Sequence, residues 1–232
     1  MTYVGDPFCD LGKGVEEIPV DACRTIPPLD PPGGVTSASL VKAAWTLTLS
    51  EYCQTTDVVF GQNVHGRGHG FPNEEAVIGP CLNQIPVRVN LEGLENGEDL
   101  LASIYRQHVS SMVYDRVQFR DIVKRSTPWP PNTMIGTLVM HQYGTYDSEP
   151  VFDGVRASTR FLLMPRITKE LRDFVVLSIL TEEMHLLQIS TSNAFVDQQN
   201  AELLADSLVF NMRRLARDPK EVMVHRAFER KQ

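Results

Sequence analysis

The chain has 232 residues, of which 42% are hydrophobic and 22% charged, and its formal net charge is −7. That length can bury one sizeable core, and the balance is ordinary for a globular domain, so one domain is expected. The acidic balance argues against nucleic-acid and anionic-membrane partners, which select clustered Lys and Arg, and no run approaches the ~18 consecutive apolar residues of a membrane span.

Met1 to Pro7 has neither a basic nor an apolar leader region, so a cytoplasmic setting is expected. Cys9, Cys23, Cys53 and Cys81 show no C-x-x-C spacing and read as free thiols, with Cys53 and Cys81 as small buried residues. Residues 1–34, with Pro27-Pro28 and Pro31-Pro32-Gly33-Gly34, carry no sustained periodicity and read as an extended lead-in. Order is expected to begin at Thr36, which can cap a helix whose apolar positions Leu40, Ala44, Leu47 and Tyr52 recur at helical spacing. Trp45 on that helix reads as core packing.

Asp57 to Gly61 is a short β-branched and aromatic run bounded by a polar turn and glycines, which predicts a buried strand. The glycine-rich stretch 65–73 that follows is a loop, and it brings His65, Arg67 and His69 together. Ile85 to Leu91 alternates as a half-buried strand with Val87, Val89 and Leu91 on one face. A second helix is predicted from about Glu98 to Tyr114, with His108 as a satisfied core or boundary residue, followed by a short turn at Phe119 to Val123. Beyond the Pro128 to Pro131 break, strands are predicted at Met134 to His141, Arg160 to Met164, Phe174 to Leu180 and His185 to Ser192. The last two form an antiparallel hairpin about the Thr181 to Met184 turn. Asp197 caps a final helix with Ala201, Leu204, Leu208, Met212 and Leu215 on its apolar stripe, stopped by Asp218-Pro219. Helices among strands predict an α/β sandwich with a mixed sheet.

The local signatures come in a recognisable order: Val35-Thr36 leading to Ala43-Ala44-Trp45, then Asp57 to Gly61 with Gly66-Arg67, then Ile78-Gly79-Pro80 through Asn83 to Val89, then Trp129-Pro130 and His141-Gln142. In this order the chain resembles the C-terminal lobe of a fungal-type condensation domain of nonribosomal peptide synthetases, over roughly residues 35–217. The resemblance implies a single lobe of a chloramphenicol acetyltransferase-like α/β fold, its mixed sheet covered by helices, with residues 35–232 forming the lobe. Such domains join two lobes around a tunnel in which carrier-bound substrates meet.

The family's double-histidine motif, His-His-x-x-x-Asp-Gly on the N-terminal lobe, has no counterpart in this sequence, and His65-Gly66-Arg67-Gly68-His69 does not replace it. By resemblance, Arg67 matches an arginine that pairs with the aspartate of that motif; without it, Arg67 faces water or is free to hold an anionic group. Asn83 matches an asparagine near the tunnel, although Gln84 stands where threonine is usual. His141-Gln142 matches a His-Gln pair, although Tyr143 stands where asparagine is usual. The candidate ligand-binding residues are therefore His65, Arg67, His69, Asn83 and His141, with no catalytic residue assigned. His65 and His69 lack a third ligand, so no metal is expected, and no cofactor is implied.

The resemblance implies a condensation-domain-like protein of secondary metabolism that does not catalyse amide condensation alone. The partners it implies are a carrier-bound or small-molecule substrate, and an N-terminal condensation lobe or a second copy of the chain. Two further readings are a stand-alone enzyme that cyclises or isomerises a small molecule in the half-tunnel, and an interaction module that completes a condensation domain in trans.

Overall fold

The computed structural model describes residues 19–67, 73, 76–79, 81–144, 151–156 and 174–224. His69, Cys9 and the strand predicted at 160–164 lie outside the described residues. The elements in chain order are β1 (Pro19–Ile26), α1 (Ser37–Cys53), β2 (Asp57–Val64), β3 (Asn83–Asn90), α2 (Gly97–Ser111), α3 (Phe119–Ser126), β4 (Thr137–Tyr143), β5 (Val151–Phe152), β6 (Val155–Arg156), β7 (Phe174–Leu180), β8 (His185–Ser192) and α4 (Gln198–Arg217).

Six strands form one mixed sheet in the order β1-β8-β7-β4-β2-β3, with β4 parallel to both β2 and β7 and the other pairings antiparallel. Strand β1 corrects the expectation that order starts at Thr36. Its helix-facing alternation of Val20, Ala22 and Ile26 is interrupted in sequence by Arg24, which pairs with Glu202 and Asp206 of α4. Pro19 stands at the first position of the strand, where a missing N–H is tolerated. Pro86 likewise sits on the edge strand β3, whose buried Ile85, Val87 and Val89 alternate as expected. The hairpin of β7 and β8 has its predicted bounds, closed by a Thr181 N–H to Met184 carbonyl bond of 2.8 Å. Strand β4 starts later than expected, since Met134 is exposed and precedes the strand.

Helix α1 is the centre of the domain. Thr36 accepts the Ser39 N–H at its start, and every residue from Ser39 to Ser50 is buried, because α4, α2 and the sheet surround it. Hydroxyls inside so buried a helix need local acceptors, and Thr46 and Thr48 donate to the Lys42 and Ala44 carbonyls at 2.8 and 2.9 Å. Trp45 is fully buried, packs against Phe174 with ring centroids 6.5 Å apart, and donates its indole N–H to Thr137 Oγ1 at 3.1 Å. Asp197 caps α4 by accepting the Asn200 N–H at 2.8 Å, and the predicted stripe from Ala201 to Leu215 is buried.

Cys23 is an exposed free thiol; Cys53 and Cys81 are free and half-buried, less enclosed than expected. Among the described residues, no helix is long and apolar enough to cross a membrane.

Candidate functional site

The helix-facing side of the sheet changes character along its length. Toward the C-terminal ends of β2 and β4 the apolar residues give way to Gln62 and His141, and the facing first half of α1 supplies Ser37 and Lys42. Between them, closed on one side by the end of α2, lies a cavity of about 400 Å³, within the range of small-molecule pockets.

Lys42 lines it, is 3% exposed, and donates to Gln62 Oε1 at 2.9 Å. Burial pushes its ammonium down to about 8, because the charged form gives up water and gains one neutral acceptor. Among the described residues, no ion pair involves Lys42.

His141 lines the same cavity and belongs to a hydroxyl-imidazole chain. Its Nε2 is 3.3 Å from Ser37 Oγ and its Nδ1 is 2.9 Å from Ser178 Oγ, which in turn is 2.7 Å from Nε2 of His185. Register explains the chain: His141 stands opposite Ser178 across β4 and β7, and His185 opens the adjoining strand. The two rings meet edge to face with centroids 6.0 Å apart. Burial pushes both down to about 4, and His141 is further lowered by His185 and Lys42. Both rings are therefore neutral near pH 7. The single Ser178 proton goes to one of them, and its oxygen accepts an N–H from the other.

His108 faces the cavity from α2. It is not the satisfied residue the sequence suggests: its Nδ1 is buried without a partner. Burial lowers its pKa first and Lys42 next, with Asp115 opposing. Asp115 and Asn63 also line the cavity, and each has a buried side-chain oxygen with no hydrogen-bond donor.

The other sequence candidates take different positions. His65 is exposed at the cavity rim, its Nδ1 accepting the Arg67 N–H at 3.0 Å. Arg67 spends one guanidinium N–H on the Val77 carbonyl at 3.0 Å, while its Nε is buried and unpartnered; it does not line the cavity. Asn83 directs its amide N–H groups to the carbonyls of Asp115 and Val117 at 2.7 and 2.9 Å, fastening the start of β3 to the turn after α2. Gly66 between His65 and Arg67 has φ of +62°, and a Cβ there would stand 2.0 Å from the Cys81 carbonyl oxygen, so only glycine fits. The structure thus brings together His65 and His141 of the predicted set and adds Lys42, Gln62, His108, Ser178 and His185. Lys42 is one polar position in a helix of mainly apolar spacing, and the His141 to His185 link depends on strand pairing across β7.

Comparison with known proteins agrees with this architecture. The condensation-domain family model matches residues 29–165. The nonribosomal peptide synthetase chyA of Penicillium rubens is 35% identical over 188 residues, which cover 77% of this chain and 8% of that protein. The synthetase benY of Aspergillus terreus is 32% identical over 211 residues, covering 89% of this chain and 19% of that one. The crystal structure of holo T3CT superimposes with a TM-score of 0.77 at 26% identity, over 90% of this chain and 48% of that one. The starter condensation domain of the rhizomide synthetase RzmA shares the fold alone, with a TM-score of 0.68 at 16% identity, over 89% of this chain and 47% of that one. The chain therefore spans about half of the solved structures and a small part of the synthetases it matches. With a family match over more than half its residues, a fold that superimposes on a solved structure with a TM-score of 0.77 and relatives among fungal peptide synthetases, the chain belongs to the condensation-domain family.

Proposed function

We propose that this chain acts as the C-terminal lobe of a condensation domain in nonribosomal peptide biosynthesis and does not form amide bonds by itself. One observation carries the reading: the chain aligns with about half of a solved relative, while its sequence holds no His-His-x-x-x-Asp-Gly. Acid-base assistance to an attacking amine needs an imidazole within hydrogen-bond reach of it; His141 and His185 are engaged with Ser37 and Ser178 instead. In this reading an N-terminal lobe supplies the catalytic histidine, and carrier-bound donor and acceptor are the substrates. The exposed Val109, Met112, Val113 and Tyr114 at the end of α2 offer an apolar surface for such a neighbour.

The test is a condensation assay with aminoacyl carrier-protein substrates, run on the chain alone and on the chain mixed with an N-terminal lobe bearing the histidine motif. Product is expected only in the mixture. Amide formation by the chain alone, or two lobes that neither associate nor react, refutes the reading. A stand-alone enzyme that cyclises or isomerises a small molecule is the second reading, favoured by a cavity built from this chain's own elements. Turnover of a small molecule by the isolated chain, lost on filling the cavity, would select it.

A further inference from the structure

A buried ammonium without an anion is costly, since desolvation of a charge is offset only by pairing and hydrogen bonds. Lys42 has three N–H donors and, among the described residues, one protein acceptor, the Gln62 amide oxygen at 2.9 Å. Its remaining hydrogen-bonding capacity faces a cavity of about 400 Å³ whose walls hold further unmet polar atoms, the Oδ1 of Asn63, the Oδ1 of Asp115 and the Nδ1 of His108. We propose that this cavity is a binding site for a small molecule carrying one carboxylate, which seats on the Lys42 ammonium while the ligand's own polar hydrogens meet the unpartnered Asn63 and Asp115 oxygens.

Charge balance selects the class. The ammonium can pair directly with one carboxylate, whereas a phosphate ester would bring about two negative charges into a cavity whose wall already carries the Asp115 carboxyl. His141 and His108 are held neutral by burial and add no cation. The apolar part of the ligand would lie along Val139 and Met140 toward the rim at Leu82. The site is a property of this chain's own elements and does not rest on the condensation reading.

The test uses the isolated full chain and three probes of equal chain length, hexanoate, hexanamide and hexyl phosphate, titrated by calorimetry at pH 7. Hexanoate is expected to bind at least about tenfold tighter than hexanamide, the worth of one charge-assisted hydrogen bond, and the preference is expected to vanish in Lys42→Met. The titration midpoint of Lys42, followed through its side-chain carbon resonance, should rise with hexanoate and stay unmoved with hexanamide. Equal affinities for hexanoate and hexanamide, a preference that survives Lys42→Met, or no binding of hexanoate at millimolar concentration would overturn the proposal. Tighter binding of hexyl phosphate than of hexanoate overturns its carboxylate class. The comparison of hexanoate with hexanamide needs no variant, so it stands even where a substitution perturbs folding.

Discussion

Replacing Lys42 by Met should stabilise the chain, and the pH dependence of that gain is the informative part. Burial holds the folded Lys42 at about 8 against an ordinary 10.5, which corresponds to about 3 kcal/mol of penalty while both folded and unfolded chains are protonated. Met keeps the length and apolar stem but leaves Gln62 Oε1 without its donor, a loss of about 1 kcal/mol. The net expectation at pH 7 is a gain of about 2 kcal/mol, or ~5 °C in melting temperature at this size. Below pH ~8 the penalty is fully present. Between about 8 and 10.5 the folded chain sheds its proton while the unfolded chain keeps it, so the wild type becomes more stable as pH rises. The advantage of Lys42→Met should therefore shrink across that window and be lost by pH ~10.5. Urea unfolding of both proteins at pH 7, 9 and 10.5, followed by tryptophan fluorescence, measures it as a difference in which unrelated titrations cancel. A variant less stable than wild type at pH 7, or a difference that does not change with pH, would refute the reasoning.

His185, 1% exposed, is held neutral down to about 4; stability should be complete above pH ~6.5 and fall between ~6.5 and ~4 as the unfolded chain takes the proton first, a limb that His185→Gln should flatten in acid titrations. Thr137→Val leaves the buried Trp45 indole N–H without its acceptor and should cost about 1 to 3 kcal/mol in chemical denaturation, with the fold retained. Gly66→Ala should displace the segment around Cys81, because the new Cβ would meet that carbonyl at 2.0 Å, and faster limited proteolysis near that residue would register it. Arg24→Ala should change stability by less than about 1 kcal/mol, since Glu202 and Asp206 are largely solvated, and a double-mutant cycle with Glu202 reads the coupling.

Much of the fold was legible because local chemistry and tertiary context agree. Thr36 and Asp197 cap helices with apolar residues at helical spacing, and the apolar runs Phe174 to Leu180 and His185 to Ser192 flank a polar turn. Strand β1 was hidden because its helix-facing Arg24 breaks the apolar alternation, and the α4 residues that accept its N–H groups, Glu202 and Asp206, lie 178 and 182 residues away. The site was legible in part for the same reason. His141 stands in a short motif, but its meaning comes from Ser178 and His185, placed beside it by pairing that no local pattern encodes. Lys42 reads as one polar position on an apolar helix until the packing of α1 on the sheet shows that it is enclosed.

Gln62, His141, Ser178 and His185 gather at one end of the helix-facing sheet surface beneath Lys42, and that placement argues for function over folding. Toward the opposite end, Val58, Phe60, Val87 and Val89 join the same apolar core, so the architecture tolerates apolar packing along these strands. If Lys42, Gln62, His141, Ser178 and His185 served only to hold the lobe together, apolar groups of similar volume would do so at lower cost. Their retention beside a cavity, with one buried cation and several orphaned acceptors facing it, is the pattern expected where stability is given up for binding. The stability gain of Lys42→Met and its loss of carboxylate preference are therefore two readings of one trade. A variant that gained stability and kept full carboxylate preference would separate them and overturn the seating of the carboxylate on Lys42.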